Sequence, residues 1–469
     1  MNTADWIIAT QWLFLLYFIG INSGYIMLTL LSLGNLRRYV EEHSLDDLPR
    51  SYSGFEPPVS MLVPAYNEEA TIASSVRSML QLDYPEFEII VINDGSKDGT
   101  LAVLQREFAL VPFPEARWQR LGTQPVRAVY RSTTHPGLRV IDKENGGKAD
   151  ALNAGINLAR YPLFCSVDAD SVLERESLKR VIEPFLENPL TIASGGTVRV
   201  ANGCQVSGGF LVGVGLPANL LALLQIVEYL RAFLFGRLGW SPLNAVLIIS
   251  GAFGVFRKES VITVGGYRSD TVGEDMELVV RLHRWHRLRR LPYRITFVPD
   301  PICWTEVPES LRVLKNQRVR WQRGLCESLS SNLKLLCHPR GGAPGWIAFP
   351  FMALFEWLGP LIEVVGYIFM VAGFMFGVVS GEAFVTFMIV VFGFGLILSV
   401  SALLLEELSF HIYPKLHQLA ILWVMVIVEN LGYRQLNSLW RLWGFMHWMF
   451  GSKGAWGAMT RTAGWQSEK

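Results

Sequence analysis

The apolar positions of this chain change character along its length, and each regime predicts different elements. Residues Trp6 to Leu33 are mostly apolar, interrupted by scattered Gln11, Asn22, Ser23 and Ser32. That length covers the roughly 20 residues a helix needs to cross the hydrocarbon core. It is too long for a signal-peptide core. Arg37 and Arg38 follow at once, and by the positive-inside rule they hold that end in the cytoplasm.

From Glu41 to about Pro308 the pattern becomes short apolar runs that end in polar loops and lead into helical stretches, which is a soluble α/β pattern. Val59 to Val63 predicts a strand followed by Pro64-Ala65-Tyr66-Asn67 and a helix from near Glu68. Phe87 to Ile92 predicts a second strand, closed by Asn93-Asp94-Gly95-Ser96. Lys148 to Arg160 reads as a helix, and Leu163 to Val167 as a strand running into Asp168-Ala169-Asp170. Alternating strands and helices imply a mostly parallel sheet, which binds ligands at the carboxyl ends of its strands. Each of these motifs falls at such an end. The very apolar stretch Phe210 to Leu238 fits a core helix, and it also fits a helix docked at a membrane face.

The last third is apolar again. Trp346 to Val379 and Ala383 to Leu405 flank the short turn Ser380-Gly381-Glu382, the layout of a helical hairpin that crosses a bilayer and returns. Glu406, Glu407, His411, Lys415 and His417 then mark a polar loop on the cytoplasmic side. Leu419 to Phe450 carries Glu429, Asn430, Arg434, Gln435 and Arg441, and its 32 residues are short for two spans. It predicts one span plus a kinked or interfacial segment, with Lys453 and Arg461 placing the C-terminus in the cytoplasm. The expected division is an N-terminal transmembrane helix at 1–40, a cytoplasmic α/β domain at 41–310, an amphipathic interfacial region at 311–344, and transmembrane and interfacial helices at 345–469.

Composition agrees with this division. The chain has 469 residues, of which 51% are hydrophobic and 18% charged, with a mean hydropathy of +0.29. So much apolar surface needs a bilayer to cover it. A net charge of +1 and no basic tract of the kind nucleic acid requires set nucleic-acid binding aside. The five cysteines are scattered, and none is in a Cys-x-x-Cys spacing; they read as reduced, packed thiols.

The candidate chemistry rests on clustered carboxylates, which can hold a cation against charge that builds on a leaving phosphate. Asp168 and Asp170 supply two carboxylates on one short turn. Asp94, Pro64, Tyr66 and Glu68 stand at neighbouring strand ends and suit a base and ribose. Asn145-Gly146-Gly147-Lys148 lets backbone approach closely and opens a helix with a cation, as a diphosphate requires. Gly273-Glu274-Asp275 opens another helix, and Asp275 is the candidate base for a hydroxyl nucleophile. Gln317-Arg318-Val319-Arg320-Trp321 lies on a basic amphipathic helix whose leucines, from Leu311 to Leu336, share roughly one face. That is the pattern of a membrane-surface helix. Trp321 also suits stacking on a sugar ring while Gln317 and Arg320 hold hydroxyls or phosphate.

As an ordered set, Asp94, Asp168-Ala169-Asp170, Gly273-Glu274-Asp275 and Gln317-x-x-Arg320-Trp321 resemble the membrane-bound family 2 glycosyltransferases. The likeness is strongest to the processive synthases of cellulose, hyaluronan and poly-N-acetylglucosamine, and it runs from about Val59 to Gly324. It implies a GT-A domain inserted between transmembrane helices in the inner membrane, with the catalytic domain cytoplasmic. It further implies an inverting enzyme that uses a UDP-sugar and Mg²⁺ or Mn²⁺ to extend a β-linked polysaccharide. By motif, Asp94 and Asp168 contact nucleotide, Asp170 holds the metal, Asp275 is the base with Glu274 beside it, and Trp321 binds acceptor. Ser250-Gly251-Ala252-Phe253-Gly254 resembles the acceptor-side strand. The third motif has Gly273 where Thr is frequent. The implied partners are the donor, a glycan or lipid acceptor, membrane lipids, and an export partner or oligomer, because few helices are present to form a channel. The alternative reading is a single sugar addition to a lipid.

Overall fold

The computed structural model describes residues 3–43, 54–115, 119–207 and 209–451. Lys453 and Arg461 lie outside the described residues. In the first half of the α/β domain the strands are β1 Val59–Ala65, β2 Phe87–Asp94, β3 Leu110–Pro112, β4 Val126–Ser132, β5 Leu138–Lys143 and β6 Leu163–Val167. The second half contributes β7 Val172–Leu173, β8 Thr191–Val200, β9 Gln205–Ser207, β10 Phe210–Gly213, β11 Phe253–Arg257 and β12 Arg294–Thr305. Apart from the β9–β10 pair they form one sheet, in the order β3-β4-β5-β2-β1-β6-β11-β8-β12-β7.

The strands read as unbroken apolar runs because both faces are covered. Val59, Met61 and Val63 of β1 join Ile89 and Val91 of β2 in one core, and Leu62 joins Ile90 and Ile92 in the other. Strands β5, β2, β1 and β6 are parallel neighbours, as are β8 and β12. The remaining pairings of the sheet are antiparallel, so the expected mostly parallel sheet is in fact mixed. Two of these pairings belong to β11 and arise at Ser250-Gly251-Ala252, which turns the chain at the carboxyl edge. Strand β11 therefore starts there, with Phe253 opposite Val167, and runs back against β6. The carboxyl ends of β1, β2, β5 and β6 and the start of β11 thus share one edge.

Five of the helices are α1 Thr3–His43, α2 Lys148–Leu158, α3 Glu274–Arg289, α4 Leu311–Ser330 and α5 Arg434–Met449. The stretch Phe210 to Leu238 divides into β10 and the helix Leu220–Tyr229, continued through a wider turn at Leu230–Phe235. That helix is core, and it also clamps the α/β domain to the C-terminal helices. Glu228 accepts from Arg318 at 2.6 Å, Tyr433 at 2.7 Å and Asn437 at 3.1 Å, and Arg231 pairs with Glu429 at 2.8 Å.

Among the described residues, Asp5–Arg37, Gly381–Ser409 and Leu416–Met449 are long and apolar enough to cross a membrane. Pro344–Trp357 and Gly359–Met375 form a further apolar pair bent by 46°. The helical path through Leu416–Met449 is itself broken at Leu431 and Gly432, where Gly432 has φ 106°. Cys165, Cys204, Cys303 and Cys326 are buried thiols, while Cys337 is exposed.

Helix α4 does not present a continuous leucine face. It ends at Ser330, so Leu333 and Leu336 fall beyond it, and it buries Leu314, Gln317, Arg318 and Gln322. Helix α5 packs closely along it, because a Cβ on Gly444 would fall 2.5 Å from the Val319 carbonyl oxygen. Arg441 fixes the pair by donating to Gln322 Oε1 and to Glu356 Oε2, at 2.8 and 2.7 Å. Gly444→Leu should force α4 and α5 apart and cost about 1–3 kcal/mol or more. It should lower the thermal unfolding midpoint of the detergent-purified chain, and an unchanged midpoint would contradict this packing.

Candidate active site

Construction of the site starts from a buried cation. Lys143 closes β5, is wholly buried, and lies 2.6 Å from both Asp94 Oδ1 and Asp150 Oδ1. Asp94 also accepts from the backbone N–H of Gly147 at 2.7 Å and of Gly146 at 3.0 Å, and from Asn145 Nδ2 at 3.1 Å. Its carboxylate therefore shapes the turn before α2. Glycine is required there: Gly147 has φ 85°, and a Cβ on Gly146 would fall 2.6 Å from the Asp150 carboxylate.

That turn delivers Lys148 to the sheet edge as the first residue of α2. Its ammonium contacts the Asp168 carboxylate and donates to the Gly251 carbonyl at 3.2 Å. Burial acts to lower the pKa of this lysine, but the carboxylates of Asp168, Glu274 and Asp275 outweigh burial and raise it. The N–H of the same Gly251 donates to Asp275 Oδ2 at 3.0 Å. Gly251 thus sits between the lysine and the aspartate, and a Cβ there would lie 3.0 Å from Lys148 Nζ and 3.4 Å from Asp275 Oδ2. Glu274 is buried beside them. Burial pushes its carboxyl up to about 7, against the pull of Lys148 and with the help of the Asp275 charge.

Glu274 and Asp275 are positioned from behind by α4. The backbones of Gly273 and Gly324 touch: a Cβ on Gly273 would fall 2.8 Å from Gly324 Cα. Glu327 accepts from the Thr271 hydroxyl and the Val272 N–H, both at 2.9 Å, and the Ser328 hydroxyl donates to the Gly273 carbonyl at 3.1 Å. A threonine at 273 would not fit this contact, which accounts for the glycine in the third motif. Trp321 lies three residues before Gly324, so the same contact ties the Gln317–Trp321 motif to the start of α3. Trp321 is 37% exposed; it is braced by the Arg318 guanidinium 4.3 Å above its ring and by Phe233 at 5.7 Å. Gln317 is buried and Arg320 half-buried.

The remaining predicted residues lie on the adjoining loops. Pro64 is within β1, and Tyr66 is 45% exposed at its end. Glu68 accepts from the Thr71 hydroxyl at 2.8 Å, just before the helix Ile72–Met79. Asn67, at φ 57°, joins this loop to the one after β2 by donating its N–H to Ser96 Oγ at 3.0 Å. Asp168 and Asp170 occupy the turn after β6, both half-buried. No group of three or more His, Cys, Asp or Glu residues forms a ready-made metal cage among the described residues. Two hard carboxylate ligands fit Mg²⁺ or Mn²⁺, which complete their shells with water and substrate phosphate. Asp168 already attracts a cationic group, the Lys148 ammonium.

Lys148, Asp168, Glu274 and Asp275 are therefore one cluster, with Asp94 holding the turn that delivers the lysine. Two positioning residues went unread in the sequence. Lys143 hid at the end of an apolar strand, and a cation closing such a strand signals buried carboxylate partners. Gly324 lacked any signal before its contact with Gly273 was seen.

A raised carboxyl pKa has a defined sign. Between pH 4.5 and about 7 the unfolded chain releases the Glu274 proton while the native state retains it, so stability falls as pH rises through that window. Glu274→Gln should therefore unfold at a higher temperature than the parent at pH 8. The gap should close towards pH 4.5. A lower midpoint for the variant at pH 8 would contradict the burial argument.

Comparison with known proteins follows the same residues. Residues 60–207 match the family described as glycosyl transferase family 2, and residues 163–401, just over half of the chain, match glycosyl transferase family group 2. The chain is 31% identical over 267 residues to the poly-beta-1,6-N-acetyl-D-glucosamine synthase of Staphylococcus epidermidis, covering 57% of this chain and 54% of that one. It is 32% identical over 269 residues to the enzyme of the same name from Staphylococcus aureus, with the same coverage. The chain thus spans about half the length of the curated relatives it matches. Its fold is shared with the mannosyltransferase PcManGT from Pyrobaculum calidifontis, solved with GDP-Man and Mn²⁺. The TM-score is 0.52 at 19% identity, over 88% of this chain and 99% of that one. A match that runs from β6 through α3 and α4 into the apolar helices takes in most of the carboxylate cluster, and the chain belongs to glycosyl transferase family group 2, as a glycosyltransferase of GT-A fold.

Proposed function

We propose that this chain takes a UDP-sugar on the cytoplasmic side of the inner membrane and adds the sugar, with inversion, to a growing β-linked glycan. The observation that carries this reading is the gathering of Asp168, Glu274 and Asp275 around Lys148 at the carboxyl edge of the sheet. Open α/β sheets bind nucleotides at such an edge. The polymer reading draws on the relatives, whose names carry a β-1,6-linked N-acetylglucosamine product. N-acetylglucosamine is accordingly the first sugar to test.

Each residue then has a task. Lys148 stands at a helix N-terminus, where a fixed cation and the helix dipole both favour a diphosphate. Pro64, Tyr66 and Glu68 line the base and ribose side, and Asp94 acts by shaping the glycine turn. Mg²⁺ or Mn²⁺ held by Asp168 and Asp170 supplies stabilisation of the charge that develops on the leaving diphosphate. Asp275 takes the proton of the attacking hydroxyl, its carboxylate held in place by the Gly251 N–H. Trp321 stacks on the acceptor sugar, with Gln317 and Arg320 holding hydroxyls. An export partner or a second copy completes a path for the product.

Two variants test the reading against labelled UDP-sugar with product sizing. Asp275→Asn keeps the shape and removes proton acceptance, so transfer should fall by about 10² to 10⁴ fold while UDP still binds. Near-parental turnover would move the base elsewhere. Trp321→Leu should remain folded and membrane-bound and continue slow donor hydrolysis, but lose polymer. Parental polymer yield from it would refute the acceptor platform, and a single-sugar lipid product from the parent chain would replace polymerisation with lipid glycosylation.

A further inference from the structure

Two stretches on either side of Leu311–Ser330 carry cations and no carboxylate. Between Glu277 and Asp300 there are six arginines and no acidic residue, and between Glu327 and Glu356 Lys334 and Arg340 are likewise unopposed. The overall charge of +1 conceals this local excess.

The fold brings both stretches together at the end of α3. Arg284 Nη1 donates to the Ser331 carbonyl at 3.0 Å, and Arg340 Nη1 donates to the Leu288 carbonyl at 3.2 Å. Gly342 lies against Arg287, and a Cβ there would fall 2.8 Å from the guanidinium carbon. Arg289, Arg290, Lys334 and Arg340 are exposed. Among the described residues none of these cations has a carboxylate within ion-pair distance, whereas the neighbouring Arg281 and Arg323 are paired with Glu277 and Glu327.

An ordinary solvated basic face would stop there, but this one carries apolar residues. Leu291, Leu333, Trp346 and Ile347 are 46%, 48%, 53% and 44% exposed. Trp346 and Ile347 belong to Pro344–Trp357, the first half of the bent apolar pair, which begins four residues after Arg340. Cations interleaved with tryptophan and aliphatic residues beside a membrane segment match the chemistry of the headgroup layer, which is anionic and half apolar.

We propose that the C-terminal end of α3, together with Lys334, Arg340 and Trp346, is a docking surface for the phosphate headgroups of anionic lipids. The occupant is the bilayer that the apolar helices cross, and the inference rests on the reading that they do cross one. Helix α3 begins at Glu274 and ends in this surface at Arg289, so lipid held at one end fixes the orientation of the carboxylate cluster at the other.

The test needs no turnover. Detergent-purified full chain is titrated with acyl-labelled phosphatidylglycerol, and with phosphatidylcholine of the same chains, and binding is followed by anisotropy. Phosphatidylglycerol should bind at least about tenfold more tightly, and the preference should shrink in high salt. Arg289→Gln, Arg290→Gln and Lys334→Gln together should remove most of that preference, whereas Arg106→Gln, on the helix Thr100–Glu107, with Arg127→Gln, on β4, should keep it. Should the triple variant not purify as one species, Lys334→Gln alone is read in the same way for a partial loss. Equal affinity of the parent for both lipids, or an undiminished preference in the variants, would overturn the proposal. Displacement of the lipid by equimolar inorganic phosphate would also overturn it, by assigning the surface to a free anion.

Discussion

Lys148 carries a positive charge into a place where separate parts of the chain deliver negative ones, and the rest of the site is arranged around that charge. Asp168 arrives from the end of β6, Glu274 and Asp275 from the start of α3, and Gly251 from the turn before β11. Carboxylates in such proximity repel one another, and burying them away from water adds to the cost. The lysine offsets both. It reaches this position only because Asp94 and Lys143 hold the glycine turn in front of α2, so a fully buried ion pair one layer down governs the geometry of the half-buried one.

The apolar helices are tied to the same cluster. Gly273 and Gly324 meet backbone to backbone, which couples the Glu274-Asp275 pair to α4. Helix α4 is in turn fixed to α5 and to Glu228 by Arg318, Gln322 and Arg441. Removing one partner from a buried pair of this kind leaves an uncompensated charge, so the helices cannot shift without disturbing the catalytic edge. This coupling gives a physical reason for one chain to hold both an apolar helical part and the sheet that carries the carboxylate cluster.

Much of this was legible from the residues. The strands β1, β2 and β6 announced themselves because doubly covered strands are continuous apolar runs, and the motifs fell at their ends because polar loops must follow them. The antiparallel return of β11 was not legible: Ser250-Gly251-Ala252 gives no hint that its turn lies at the carboxyl edge. Nor was the end of α4 at Ser330, since the leucine spacing continues past it to Leu333 and Leu336. Asp94 was legible as a site residue but not as the acceptor for Gly146 and Gly147, because such a contact depends on how β2 and β5 lie side by side. The glycine at 273 looked like a minor departure from the family pattern and became meaningful only opposite Gly324.

The central claim is that the cation at Lys148 exists to receive a nucleoside diphosphate. Calorimetric titration of UDP into the purified full chain, with Mn²⁺ present, tests it most directly when parent and Lys148→Met are compared. A lost charge-assisted hydrogen bond is worth about 1.5–3 kcal/mol, so the account predicts UDP affinity at least about tenfold weaker in a variant that remains folded. Equal affinity in the two proteins would contradict it.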